Sequence, residues 1–320
     1  MFRLGGIKMT KVAVIGGGTG LSTLLRGFKK LPFDISAIVS VCDDGSSTGR
    51  LREEFKTPAV GDIRKVLISL SKNEDEVRRL LDYRFNTSSD LDGHALGNLI
   101  LTAANDICGN MSDGIELVNS MLDLKGKVIP LSFDNVTLVG EMEDGSIVSG
   151  EHNITEFDGK IKRVFYGEKP SVNKDVLKSI KEADAIILSM GSLFTSIIPN
   201  LICEEVIDEI DKSSGKIIYV CNIMTQPGET DDYAVSDHVN LINSYLGKRK
   251  VDAVVINNGV VDSKIIKNYE TTEQKDLVKM DKEKLDNIDF IENDYILIED
   301  GAIRHNTLRV AIDVISYLLD

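Results

Sequence analysis

The 320-residue chain has no excess of positive charge: 37 Lys and Arg stand against 51 Asp and Glu, a net charge of −14, with a pI near 4.8. Duplex DNA, RNA and anionic membrane surfaces are therefore poor main partners, and an anionic ligand must be held locally by main-chain amides and a few arginines. No apolar run approaches the roughly 18 residues of a membrane span. The N-terminus, MFRLGGIKMT, carries no signal-peptide hydrophobic region, so a cytoplasmic location is expected. The four cysteines, Cys42, Cys108, Cys203 and Cys221, have no C-x-x-C spacing, which favours buried thiols in a reducing compartment. Also missing are a Ser/His/Asp spacing, a nucleophile elbow and a metal-binding His pair, so no reaction follows from spacing. There is no internal repeat and no low-complexity tract.

What the chain does carry starts at KVAVIGGGTGLSTLLRGFKK, residues 11–30. Lys11 to Ile15 is short, apolar and β-branched, a buried-strand pattern. Leu21, Leu24, Leu25 and Phe28 follow at i, i+3, i+4 and i+7, the apolar stripe of a helix. Gly16, Gly17, Gly18 and Gly20 thus fall on a strand-to-helix turn. Glycine there permits tight φ/ψ and lets a ligand, most often a phosphate, approach helix N–H groups. The spacing is not the simple dinucleotide fingerprint. Leu21 takes the third glycine's place, and Asp43-Asp44 come 27 and 28 residues after Gly16, beyond the usual 20 or so. No Gly-Lys-Ser/Thr follows, so it is not a P-loop. A bare turn is the alternative.

Strand and helix patterns alternate through the first third. Ile63, Val66, Leu67 and Leu70 mark a helix with Asp62 as N-cap, another covers roughly 74–84, and DGHALGNLILTAANDI supplies a third. The middle changes period. VTLVGEMEDGSIVSGE carries an Asp-Gly turn between extended runs, and IKRVFY pairs beside it, an antiparallel insertion over about 127–168. DAIILSM, KIIYVCN and VDAVVINN then restore the buried-strand pattern, each ending in small or polar residues. The stretch 270–292 reads as an exposed polar connection. A last helix is entered through Arg304 to Thr307, with Asn306 as N-cap and Leu308, Ala311, Ile312 and Ile315 as its stripe. The expectation is one α/β domain over 1–320, Rossmann-like, its mostly parallel sheet flanked by helices on both faces. Ligands of such sheets bind outside the carboxyl ends of the strands.

Asp43 and Asp44, followed by Gly-Ser-Ser-Thr-Gly, suit a hard cation or ribose hydroxyls; a solvated acidic turn is the plain alternative. Arg50 and Arg52 suit phosphate or ion pairs with Glu53 and Glu54. Gln226 and Glu229 flank Pro227-Gly228 in a long polar loop and suit the edge of a base or sugar. His238 is a general-base candidate or a structural histidine. His94 is an anion contact or a cap.

VIGGGTGLSTLLRG, VSVCDDGSSTGRLR, GDIRK, YRF, GHALGNLIL, GSLFTSIIPNL, MTQPGETDDYAVSDH and IRHNT, in this order, resemble the YvcK-type gluconeogenesis factors of the CofD-like superfamily. The resemblance runs from about Lys11 to the C-terminus. It implies a cytoplasmic factor for cell shape and peptidoglycan synthesis during gluconeogenic growth, binding UDP-sugars such as UDP-N-acetylglucosamine, with no certain cofactor. The alternative is a magnesium-dependent transferase, since the related CofD branch moves a phospholactyl group from a guanylylated donor. Carried onto this chain, Gly16, Gly17, Gly18, Thr19, Gly20 and Leu21 form the nucleotide-phosphate loop. Asp43 and Asp44 match an acidic pair at a metal and substrate site, and Gly191-Ser192 a second nucleotide-contacting turn. Asn98, Gln226 and Glu229 join as ligand-binding positions, Arg304 as the cation for a diphosphate and Tyr269 as a ring to stack on uracil. Thr307 is the expected target of a Ser/Thr kinase. Cell-wall synthesis proteins and a second copy of the chain complete the expected partners. The chain departs from the family pattern at Met190, Val60 and Asp232, where Pro, Pro and Gly are usual.

Overall fold

The computed structural model describes residues 9–261, 266, 275–299 and 301–320. Twelve strands follow in chain order: β1 (Thr10–Gly16), β2 (Phe33–Val39), β3 (Lys127–Pro130), β4 (Leu138–Met142), β5 (Ile147–Ser149), β6 (Ile161–Tyr166), β7 (Ala185–Leu188), β8 (Lys216–Val220), β9 (Ala253–Asn257), β10 (Asp289–Asn293), β11 (Ile296–Glu299) and β12 (Ala302–His305). Seven of them form a single sheet in the order β10-β9-β8-β7-β1-β2-β3, every neighbouring pair parallel.

Apolar runs become buried strands here because successive side chains leave a strand on opposite faces, and both faces are covered. In β1, Ala13 and Ile15 enter one core while Val12 and Val14 enter the other. Ile217 and Tyr219 of β8 likewise oppose Ile218 and Val220. The chain first lays β2 and β3 on one side of β1, then returns to place β7 on the other side. The order reverses between β1 and β7. At such a switch point the loops leaving the two strands diverge and open a crevice.

Within 127–168 the first four residues are β3, the edge of the parallel sheet; the antiparallel strands β5-β4-β6 occupy 147–149, 138–142 and 161–166. Leu138, Met142, Ile161 and Val164 bury this small sheet against the core face that carries Leu188. β11 and β12 form a separate antiparallel hairpin.

Three readings change. Residues 289–293, all but the last within the expected polar connection 270–292, are β10, paired in register with β9, and only Ile291 of the five is deeply buried. The helix Gly61–Leu70 is capped at Val60, and Asp62 stands inside its first turn. The C-terminal helix Thr307–Leu319 buries Val310, Ala311 and Val314, while Leu308 and Ile312 are 37% and 45% exposed. Asn306 is its N-cap as expected, accepting from the Arg309 N–H at 3.2 Å.

Candidate functional site

Gly17 precedes the helix α1 (Gly18–Phe28), which starts at the carboxyl end of β1. Three of the four loop glycines are demanded by the protein's own packing. A Cβ on Gly16 would overlap the Ser189 hydroxyl, one on Gly17 the Ser40 hydroxyl, and one on Gly20 the Met190 carbonyl. Gly18 is glycine for its backbone, at φ +57°. The loop is therefore bare first to let β1's exit and the β7 exit touch. The ligand reading is narrowed accordingly: Gly17, Thr19 and Gly20 border open space, whereas Leu21 is fully buried in the core and lines no cleft.

That space is a cleft of about 450 Å³ at the switch point. Its walls come from the start of α1, the turn Gly191-Ser192 after β7, the loop Asn222–Gln226 after β8, and Arg304 and His305 of β12. Gly17, Thr19, Gly20, Gly191, Ser192, Gln226 and Arg304 are thus brought together as expected from the strand-end pattern. Arg304 is exposed, and its Nη1 donates to the Ile303 carbonyl at 3.3 Å. His305 donates from Nε2 to the Cys221 carbonyl at 3.0 Å. Burial pulls its imidazole down to about 4, so the ring is neutral at pH 7.

Two side chains set the shape of this cleft from behind. Asn222 donates to the Gly191 carbonyl at 2.8 Å and accepts from the Gly191 N–H at 2.9 Å, holding that turn, at φ +150°, by both main-chain groups. Asn222 was missed as a site residue, although it is the polar residue that ends the KIIYVCN run. Glu229 is buried and does not line the cleft. Its carboxylate accepts from Ser192 Oγ at 2.7 Å and from Gln226 Nε2 at 2.7 Å. Burial pushes its carboxyl up to about 7 against the pull of these donors.

The acidic pair lies elsewhere, beyond Asp62. Asp43 accepts from the Thr48 hydroxyl at 2.8 Å and the Gly45 N–H at 3.1 Å. Asp44 turns the other way and accepts from the N–H groups of Glu151 and His152 at 3.1 and 2.9 Å. Each of the four oxygens takes one donor, and among the described residues no three His, Cys, Asp or Glu are gathered to hold a metal. These residues do not fit a resident cation. Close by, Glu151 is pushed up to about 7 by burial, then by Asp43 and Asp62. Asn98 is buried, donating to Ser47 Oγ at 3.1 Å; its own Oδ1 has no partner among the described residues. It does not reach the cleft.

Other candidates resolve into structure. Arg52 is buried on main-chain carbonyls and Asn135, with no ion pair to Glu53 or Glu54 among the described residues. Arg50 donates to the Asp92 carbonyl at 2.5 Å. His238 is fully buried with Nδ1 3.0 Å from the Tyr219 hydroxyl. His94 precedes its helix by two residues, and its Nδ1 lies 3.0 Å from Ser47 Oγ. Tyr269 lies outside the described residues. A second concavity of about 330 Å³ is bordered by Lys11, Asp34 and the edge strand β3, and shares no residue with the switch-point cleft.

A family model described as 2-phospho-L-lactate transferase CofD matches residues 12–296. The chain is 44% identical over 304 residues to the gluconeogenesis factor of Bacillus subtilis, spanning 94% of this chain and 96% of that protein. A gluconeogenesis factor of Halalkalibacterium halodurans is 41% identical, over 95% of each chain. A crystal structure of a Bacillus halodurans protein superposes with a TM-score of 0.92 at 40% identity, covering 98% of this chain and all of that one. With that match over nearly its whole length and with gluconeogenesis factors among its relatives, the chain belongs to the CofD family.

Proposed function

We propose that the chain is a cytoplasmic binding factor for a UDP-sugar of the UDP-N-acetylglucosamine type, serving cell morphogenesis and peptidoglycan synthesis during gluconeogenic growth. One observation carries the reading: in a protein of net charge −14, the switch-point cleft combines the N-terminus of α1, the Gly191-Ser192 turn and the exposed guanidinium of Arg304. A helix N-terminus and an arginine are what a diphosphate needs. Gln226, an amide on the facing loop, suits a base or sugar edge. Among the described residues no helix is long and apolar enough to cross a membrane. The transferase reading gains less support, because among the described residues no three His, Cys, Asp or Glu are gathered around Asp43 and Asp44 to hold a metal.

Partners follow from the same placement. Thr307 is the first residue of the C-terminal helix, three positions after Arg304, so a phosphate added by a Ser/Thr kinase would compete for that guanidinium. Cell-wall synthesis proteins and a second copy of the chain are the proposed macromolecular partners.

Calorimetry with UDP-N-acetylglucosamine, UDP and GDP tests the ligand. Binding of the UDP-sugar is expected, weakened about tenfold or more (1.4 kcal/mol per tenfold) in Arg304→Ala with the melting temperature unchanged. Equal affinity in that variant places the ligand elsewhere.

A further inference from the structure

The loops after β7 and β8 meet at one buried group. Two side chains donate to the oxygens of Glu229, the Ser192 hydroxyl at 2.7 Å from each oxygen and the Gln226 side-chain amide at 2.7 Å, and the main-chain N–H groups of Leu193 and Phe194 lie toward it. Ser192 and Gln226 both line the cleft; Glu229 does not. The hydroxyl of Ser192 is itself fixed from behind, accepting from the Thr195 N–H at 2.9 Å and standing 2.8 Å from the Thr195 hydroxyl. Ser192 caps a single π-helical turn, Leu193–Ile197, a local geometry often found at functional sites. Gln226 is held at its main chain by the Thr230 hydroxyl at 2.8 Å, leaving its side chain to Glu229.

We propose that Glu229 is the positioning residue of the cleft: as a carboxylate it ties Ser192 of one loop to Gln226 of the other, and on taking up a proton it releases part of that tie. The accounting is simple. An ionised carboxylate only accepts, so the Ser192 hydroxyl and the Gln226 amide are satisfied together. A protonated carboxyl carries an O–H on one of the two oxygens that the Ser192 hydroxyl bridges, so that hydroxyl must give up that oxygen as an acceptor and turn. The Ser192 hydroxyl and the Gln226 amide are the two that can rotate, and both border the ligand.

The setting makes this proton matter near neutrality. No charged side chain shifts Glu229 to a resolved extent; burial raises it, and the Ser192 hydroxyl with the Phe194 and Leu193 N–H groups lowers it. On its own loop Asp231 is engaged with the Gly228 N–H at 2.8 Å. From the other elements of the cleft come Lys275, Arg304 and His305, the last pulled down to about 4 by burial. The diphosphate of a UDP-sugar has no proton to lose near pH 7. Glu151, on the short helix Glu151–Thr155, is also pushed up to about 7 and bonds Thr195 behind Ser192, so the titration is read in a Glu151→Gln background, where a transition in that range belongs to Glu229.

The consequence for binding rests on the UDP-sugar reading, whereas the tie itself is tested without ligand. In the ¹⁵N-labelled full chain carrying Glu151→Gln, the parent here, the Leu193 and Phe194 amides and the Gln226 side-chain amide are followed from about pH 5.5 to 8.5. They are expected to move together with a single midpoint near neutrality in the parent protein. In Glu229→Gln they stay flat, and in Glu229→Asp a common midpoint returns. UDP-N-acetylglucosamine affinity is expected to fall about tenfold per pH unit below that midpoint in the parent and to lose its pH dependence in Glu229→Gln. Flat resonances in the parent, or the same titration in Glu229→Gln, overturn the proposal. So does an affinity that ignores pH while the resonances titrate. Absence of UDP-sugar binding at every pH removes the ligand reading alone, and the resonances still decide the tie.

Discussion

The main-chain N–H of Gly18 donates to the Asp62 carboxylate at 2.6 Å, so the start of α1 already faces an anion from its own chain. Lys65 sits 3.0 Å from the other oxygen of Asp62. Burial raises the Asp62 carboxyl, Lys65 lowers it, and Asp43 raises it again. A second anion in the adjacent cleft meets that charge. Asp62→Asn keeps an acceptor for Gly18 and removes the repulsion at the helix N-terminus. UDP-sugar binding is expected to tighten about two- to fivefold, the scale of a charge at a helix end. Weaker binding by calorimetry, in a variant that melts normally, would show that Asp62 shapes the loop more than it repels ligand.

The glycines of the loop separate by cause, and the separation is measurable. A Cβ at Gly20 meets the Met190 carbonyl, which is main chain and cannot step aside. At Gly18 there is room, the nearest atoms being Asp62 oxygens at 3.6 and 3.7 Å, but φ is +57°. Gly20→Ala is expected to cost about 3 kcal/mol, as overpacking does, and Gly18→Ala about 1 kcal/mol for a left-handed backbone. Urea titration ranks them. The reverse order would mean that the β7 exit yields easily.

The strands of the main sheet were legible where they are doubly buried, because both faces are apolar and the run stands out. β10 was not: DFIEN sits at the sheet edge with Phe290 and Ile291 as its two apolar residues, and so short a run between carboxylates reads as a polar link. The C-terminal helix shows a different limit. Leu308 and Ile312 have helical spacing just as Val310, Ala311 and Val314 do. The choice of buried face is made by Gly27 of α1, whose missing side chain admits the Thr307 carbonyl. The strand-end cluster was legible from glycine and small polar residues alone. The bonds from Gly18 to Asp62 and from Ser192 to Glu229 were not, since they join residues 44 and 37 positions apart.

Glu151 gives stability a pH dependence of predictable sign. Its folded-state carboxyl is raised from 4.5 to about 7 by burial, then by Asp43 and Asp62. The folded protein therefore holds this proton more tightly than the unfolded chain. The contribution is complete below the unfolded value and is lost as pH rises through about 7. Glu151→Gln removes the charge without removing the side chain. At pH 8 it is expected to stabilise the protein by about 2–3 kcal/mol, and at pH 4 hardly at all. Thermal melts at the two pH values check this. A gain of equal size at both would assign the effect to packing.

Arg52 shows what holds the acidic turn in place. Arg52 is 6% exposed, and its guanidinium joins two segments: Nε donates to Asn135 Oδ1 at 2.8 Å and Nη2 to the neighbouring Val136 carbonyl at 2.5 Å, while Nη1 donates to the Asp43 carbonyl at 3.0 Å. The strand exit that carries Asp43 is thereby tied to the chain entering β4. Only a planar fork reaches acceptors placed so far apart; an ammonium is a point. Arg52→Lys keeps the charge yet leaves buried carbonyls without donors, a loss of about 2–4 kcal/mol. Arg50→Lys is the control, because Arg50 serves one exposed carbonyl and its replacement should stay within about 0.5 kcal/mol. Urea titration of both variants, with the ¹⁵N shift of Asp43 as a local reporter, decides the matter. A mild Arg52→Lys with Asp43 unmoved would mean that charge alone, rather than the fork, secures the turn.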